Sequence, residues 1–422
     1  VLTLNHTFSA TTFLLVGCLF PGTASCSEDW PEFRGPTGQG LASVQNLPVN
    51  WNDSVNVKWK VVVPGKGWSS PIVSNDIIYM TTAIPLTSES ETDQVLCLIA
   101  MDKDHGTLIW KTEVFRQSGV ETDPIHLKNS HASPTPILKD DRIYVHFGVS
   151  GTACLDLDGK VIWRNQSLIF TPVHGNGGSP VLVGDHLIFN CDGANRQFVA
   201  ALDHRTGKVR WTKDRPPSSG RRFSFSTPLA IEVEGRSQVI SAGANAVVSY
   251  DPIDGTELWY VTYDGFSVVP RPVFAHGLVY ICTGYATPWL LAVRPDGSGD
   301  VTNTHIAWRT RTGVPHNPSL LIVEDELYFV SDRGIASCLD ARTGQSHWRQ
   351  RLGGEFSASP VYGDNKVYFQ SEDGEGVVLQ AGTDFSLLAR NPLSEETLAS
   401  YAVSQNALFI RSMNHLYCIQ SR

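Results

Sequence analysis

The side chains best suited to chemistry in this sequence are cations, imidazoles and amides: Lys66, His131, His174, Asn176, Arg221, Arg222, Arg271, His316 and Asn317, with Trp68 beside them. Gathered at one place, such groups suit an anionic or carbohydrate-like ligand or a peptide segment. The spacings that catalysis needs are missing. There is no Gly-x-Ser-x-Gly elbow, no His-Glu-x-x-His, no EF-hand loop and no Gly-rich loop opening a helix. Among 13 histidines no pair stands at metal-ligand spacing on one strand. The expectation is a binding surface without catalytic, cofactor or metal residues.

What would bring these residues together is a repeat. Each of them falls at or shortly before the start of a strand marked by a small residue and Pro: Ser70-Pro71, Ser133-Pro134, Ser179-Pro180, Thr227-Pro228, Asn317-Pro318 and Ser359-Pro360, with Arg271-Pro272 as a variant. Pro is tolerated only at a strand's start or edge. A second mark follows, Asp then Gly then Trp four residues apart, as in Asp203, Gly207, Trp211; Asp251, Gly255, Trp259; Asp340, Gly344, Trp348; and Asp102, Gly106, Trp110, with Asp156, Gly159, Trp163 one residue shorter. It reads as a hairpin whose Gly supplies positive φ and whose second strand closes on the Trp. Between the marks lie β-rich runs such as Asp325 to Val330 and Asp364 to Phe369, so each unit holds four strands.

Four-stranded units recurring every 40–49 residues, the spacing of the tryptophans at 211, 259, 308 and 348, predict an all-β, eight-bladed β-propeller. Val57 to Val61 looks like a last strand without its three predecessors, and Tyr401 to Ile419 supplies three strands without a fourth. The two ends are therefore expected to complete one blade and remove the free sheet edge. Equivalent positions share one height and radius, which would set the ten residues above around one mouth of the channel. The expected organisation is a secretory leader over 1–26, a Pro/Gly-rich strap packed by its aromatics over 27–56, and the propeller over 57–422.

The hairpin meter and the Ser-Pro blade starts resemble the repeats of the pyrroloquinoline-quinone (PQQ) type propellers, which include quinoprotein alcohol dehydrogenases and a propeller lipoprotein of the outer-membrane β-barrel assembly machinery. The resemblance implies either an extracytoplasmic propeller that binds a protein or small ligand without catalysis, or a reduced PQQ-dependent oxidoreductase. The quinone enzymes would bring an adjacent Cys-Cys pair, a Ca²⁺ site and long inserted loops. This chain has no Cys-Cys dipeptide, and about 46 residues per blade barely cover four strands and their turns. The binding reading is preferred, with an envelope protein or small ligand as partner, no cofactor, and a monomer expected.

A net charge of −9 without a Lys/Arg block argues against nucleic acid and anionic membrane surfaces. The apolar run from Ala10 to Phe20 is too short to span a bilayer, and export to the periplasm or envelope is expected, with a lipid anchor on Cys18 or Cys26 as the alternative to plain cleavage. Cys97, Cys154, Cys338 and Cys418 are expected at one third-strand position, and Cys191 and Cys282 at one second-strand position, as buried hydrophobes rather than disulfides. The insertions at Ser298-Gly299-Asp300, at Asp384-Phe385 and over Thr87 to Gln94 read as surface loops.

Overall fold

Burial by neighbouring sheets, rather than alternation, dominates the strands of this chain. Leu278–Cys282 is buried at every position, as is Ala407–Arg411, because both faces are covered, whereas the outermost Val57–Val62 alternates half-buried with exposed. The computed structural model describes residues 29–87, 93–118, 125–215, 220–285 and 288–421, with residue 1. The expected leader, with Cys18 and Cys26, otherwise lies outside the described residues.

The described strands form eight sheets in a ring, each ordered from the channel outward and antiparallel except for one short strand added to blade 4. Blade 1 opens with Ile72–Ser74, blade 2 with Ile137–Lys139, blade 3 with Val181–Val183 and blade 4 with Leu229–Val233. Blade 5 opens with Val273–Ala275, blade 6 with Leu321–Val323 and blade 7 with Val361–Gly363. Blade 8 takes Ala402–Ser404, Ala407–Arg411 and His415–Gln420 from one end of the chain and Val57–Val62 from the other, paired through Trp59↔Cys418 and Val61↔Leu416. Among the described residues no helix is long and apolar enough to cross a membrane.

The Asp-Gly-Trp meter has a physical cause that joins one blade to the next. The outer-strand tryptophans Trp59, Trp110, Trp163, Trp211 and Trp308 each lie on the Gly turn of the following blade. A Cβ on Gly207 would fall 2.4 Å from the Trp163 ring, on Gly255 2.6 Å from Trp211, and on Gly344 2.6 Å from Trp308. The indole N–H then donates to a carbonyl of the same turn, Trp163 to His204 at 3.0 Å, Trp211 to Pro252 at 3.1 Å and Trp308 to Ala341 at 3.0 Å. The Asp shapes the turn: Asp340 accepts the Thr343 amide and hydroxyl, both at 2.8 Å, which holds its carboxyl below the usual range.

Three junctions lack this ring-on-glycine contact. At one, Trp348 donates to the Gly382 carbonyl at 3.4 Å and meets the Phe385 ring at 5.2 Å, but nothing lies within 4 Å of a Cβ on Gly382. Trp259 turns its N–H onto Gln238 of its own blade at 2.9 Å, and the insertion read as a surface loop supplies Gly299–Asp300, a short strand running parallel to Trp259–Tyr260. In blade 7, Ala389 stands opposite Val378 where other blades carry Trp. There Trp51 of the strap stacks on Tyr368, ring centroids 6.4 Å apart, much as Trp348 meets Tyr328 at 6.1 Å in blade 6.

The strap crosses one end of the ring. Trp30 bridges Val73 of blade 1, the Pro31 carbonyl accepts from Leu138 of blade 2, Gln39 accepts the Phe274 amide of blade 5, and Leu41 bridges Tyr362 of blade 7. Arg271, expected at a channel mouth, is instead 2% exposed and locked beneath this strap. It donates to the Phe33 carbonyl at 2.7 Å and to the Pro228 carbonyl at 3.1 Å, and pairs with Glu32 at 3.4 Å.

The cysteine alignment needs two corrections. Cys154, Cys338 and Cys418 lie opposite Trp163, Trp348 and Trp59, but in blade 1 that place belongs to Ala100, with Cys97 three residues earlier. Cys191 and Cys282 are likewise offset by one, since Phe198 faces the former while Ile188 rather than Phe189 aligns with Tyr280. All six described cysteines are buried and unpaired, and burial pushes Cys97 up to about 11 and Cys154 to about 12.

Two measurements test this account. Gly207→Ala and Gly184→Ala both add a Cβ at positive φ, but nothing lies within 4 Å of Gly184. Both should lose about 1–2 kcal/mol to left-handed backbone strain, and Gly207→Ala about 1 kcal/mol or more beyond that from the Trp163 clash. Equal losses on denaturant unfolding would show that Trp163 does not rest on the turn. Arg271→Ala strands Glu32 beneath the strap and should cost about 3 kcal/mol, while exposed Arg222→Ala should stay within about 0.5 kcal/mol; parallel melts would refute the lock.

Candidate functional site

A ring of hydroxyls fixes the inner register of the channel. Ser70 N donates to Thr135 Oγ1 at 3.0 Å, Thr135 N to Ser179 Oγ at 2.8 Å, and Ser179 N to Thr227 Oγ1 at 2.9 Å. The run resumes after blade 4, with Arg271 N to Ser319 Oγ, Ser319 N to Ser359 Oγ and Ser359 N to Ser400 Oγ at 2.9–3.0 Å. Arg271 is thus the member of this ring that has lost its hydroxyl. Two of the expected Pro marks were off register, because Thr135-Pro136 and Ser319, not Ser133-Pro134 and Asn317-Pro318, stand at the common height.

Above this ring opens a cavity of about 590 Å³. Its wall continues through the residues two positions earlier in each blade, Trp68, Ser133, Gly177, Phe225, Val269, Asn317, Ser357 and Leu398, and the Phe33 side chain enters from the strap. Since the strap covers that end, the other mouth is the open one. The volume is that of a small-molecule site.

An arc of rings edges the open mouth. His126 meets His174 at 5.5 Å, His174 meets Phe223 at 5.4 Å, Phe223 meets Phe266 at 5.6 Å, Phe266 meets Tyr285 at 5.7 Å, and Tyr285 meets His316 at 5.4 Å, between ring centroids. Each pair is edge-to-face, which packs quadrupoles favourably and leaves ring surface toward the opening. Arg221 lies over Phe266 at 4.8 Å, and none of the described carboxylates forms an ion pair with it.

The acids at this mouth are already engaged. Asp332 accepts from the His316 amide and the Asn317 side chain, both at 2.6 Å. Lys128 reaches from the connection between blades 1 and 2 to Glu372 at 2.8 Å and Glu355 at 3.1 Å. Burial lowers the Lys128 pKa, but the two carboxylates outweigh it and raise the ammonium above its ordinary value.

Of the ten residues singled out in the sequence, Trp68, His174, Arg221, His316 and Asn317 line this cavity. The others do not. Lys66 is exposed beside its backbone bridge to Ala83, and His131 meets the Gln117 side chain at 3.0 Å. Asn176 packs on Gly148 and faces a small gap between blades. Arg222 points to solvent, its carbonyl accepting from Gln197, and Arg271 is held by the strap. His126, Lys128, Phe266, Tyr285, Asp332 and Glu355 went unpredicted because they sit on turns and connections whose lengths differ between blades.

A family model described as "Outer membrane protein assembly factor BamB" matches the chain in three overlapping stretches, residues 42–164, 97–332 and 297–384. The crystal structure of BamB from Moraxella catarrhalis superposes with a TM-score of 0.62 at 14% identity, covering 86% of this chain and 97% of that one. The quinohemoprotein alcohol dehydrogenase from Comamonas testosteroni gives 0.65 at 11% identity, covering 94% of this chain and 81% of that one. The search of curated proteins returns no match. At such identities the structures share a fold and no more, but the repeat itself is matched along most of the sequence and closes into the same ring, so this chain belongs to the family of PQQ-like β-propellers.

Proposed function

We propose that the protein is an extracytoplasmic, non-catalytic propeller that binds a partner or ligand at its strap-free mouth. The observation that carries this reading is the asymmetry of the channel: one end is covered by the strap, while the other combines the aromatic arc with Arg221, which has no ion pair among the described residues, above the cavity. Aromatic surface and arginine dominate binding energy where they can be desolvated together. The model's namesake, an assembly factor, supports a scaffold that engages envelope proteins, and the leader expected over 1–26 supports export. The occupant is a protein segment or a small anionic or carbohydrate ligand.

The quinone arrangement fits these residues poorly. No described cysteine lines the cavity, Phe33 lines it from the strap, and Asp332 and Glu355 already accept from protein donors. No group of three or more His, Cys, Asp or Glu among the described residues could hold a metal ion.

Capture from the envelope fraction by immobilised protein tests the reading. Arg221→Glu combined with Tyr285→Ala should reduce recovery of the captured species about tenfold or more while leaving the melting temperature unchanged, since Arg221 is exposed and Tyr285 is 53% exposed. Undiminished capture would place the working face elsewhere. Alcohol or sugar oxidation that depends on added PQQ and Ca²⁺ would establish the oxidoreductase instead.

A further inference from the structure

The hydroxyls of the inner ring have a specific chemical bias. In Thr135, Ser179, Thr227, Ser319, Ser359 and Ser400 an oxygen lone pair is taken by the backbone N–H of the preceding blade. None of the six donates its proton to a described residue, and all six face the cavity, as does Ser70. A hydroxyl carries one proton and two lone pairs, so with one lone pair taken from behind its proton is free to be donated in front. The closed end of the cavity is therefore encircled by O–H donors at a single height.

Behind that ring lies buried positive charge in excess of negative. Arg411 is 1% exposed and donates to Ser69 Oγ at 2.7 Å and to the Ser69 and Thr81 carbonyls, immediately beside Ser70. Arg34, also 1% exposed, donates to the Pro360 carbonyl at 3.4 Å beside Ser359 and to the Gln39 carbonyl, with its Nε and Nη1 left without a partner. Arg271 stands in the ring itself. Burial, with Arg271 nearby in the case of Arg34, lowers Arg34 and Arg411 only to about 9, so both stay charged at neutral pH, and none of the described carboxylates pairs with either of them. Among the described residues, Glu32 beside Arg271 is the single acid paired with these three guanidiniums. Uncompensated buried cations are costly unless an anion answers them.

We infer that the closed end of the cavity is a site for a tetrahedral oxyanion, the sulfate or phosphate group of an ester whose body extends toward the aromatic arc. Three unprotonated oxygens spread around an ester bond match donors spread around the channel axis, whereas the two oxygens of a planar carboxylate reach only part of such a ring. The guanidiniums behind the hydroxyls favour negative charge without touching it, in a setting of low dielectric where each is worth more than at the surface. Arg221 at the mouth adds attraction along the entry path on a protein that is otherwise acidic, with net charge −9.

This inference deepens the binding reading of the same cavity and rests on it, and the two are separable by experiment. The intact protein is titrated calorimetrically with sodium sulfate, sodium phosphate and sodium acetate at constant ionic strength. Sulfate or phosphate should bind saturably with one site, and acetate about tenfold or more weakly. Ser70→Ala removes a donor whose oxygen accepts no neighbouring backbone N–H, so it leaves the inter-blade ladder whole; it should weaken binding about fivefold. Thr227→Val should do the same or more, and Thr227→Ser should restore it. Absence of saturable sulfate and phosphate binding, equal binding of acetate, or undiminished binding by a folded Ser70→Ala variant overturns the oxyanion site. If the parent binds neither anion while Arg221→Glu with Tyr285→Ala still loses capture, the oxyanion site fails and the mouth reading stands. If the anion binds and those mouth changes are silent, the opposite holds.

Discussion

The contact of one blade's outer Trp with the next blade's Gly turn is the constraint from which the rest of this molecule follows. A four-stranded blade buries its faces only against its neighbours, so the ring is stable to the extent that each junction is specified. The indole does this twice over, by lying where any Cβ would collide and by donating its N–H to the turn. Such a contact fixes height as well as spacing. Where blades are held at one height in this way, the hydroxyls leading into the first strands link from blade to blade, and their far sides meet the same cavity.

The strap is the second consequence. Blade 7 lacks its Trp, and Trp51 supplies the missing ring against Tyr368 from outside the repeat. Asn391 holds it there, accepting the Trp51 amide at 2.8 Å and donating to the Val49 carbonyl at 2.9 Å. Repair of a packing defect thus also anchors a segment across one end of the channel. The end that is repaired is closed, and the other is left open to the cavity. The strap side also holds the buried Arg34 and Arg271, which donate to the Pro360 and Pro228 carbonyls beside the ring residues.

Whatever the repeat dictates was readable from the amino acids. The blades, their number, the closure of blade 8 by both ends of the chain and the burial of Trp211, Trp259 and Trp348 all follow from spacing alone. The site was readable only where it coincides with the repeat. Trp68 and Asn317 lie two residues before the hydroxyl ring and so share a height. Taking Ser133-Pro134 and Asn317-Pro318 as marks put those blades two residues out of step, since Pro136 rather than Pro134 opens blade 2 and blade 6 opens on Ser319-Leu320 without a Pro. Arg271 fits the spacing exactly as a hydroxyl would, and nothing local says that its longer side chain turns outward to the strap. Tyr285, Asp332 and Glu355 sit on connections, where the repeat exerts no control.

The same distinction separates structure from function in this fold. Positions that repeat in every blade serve the ring: Asp340 and its equivalents shape turns, and the buried cysteines opposite the tryptophans fill small core spaces. Positions where the repeat is broken are free of that duty. Arg271 replaces a hydroxyl, the aromatic arc replaces small residues on one side of the mouth only, and Lys128 ties one connection to acids on Glu355 and Glu372 of distant blades. An eightfold scaffold presents eight equivalent surfaces, and a ligand without that symmetry can be recognised only by departures from it. The departures here gather at the open end and around the axis, so recognition of the kind proposed above would be axial: a ligand entering along the channel would meet the rings first and the hydroxyls last.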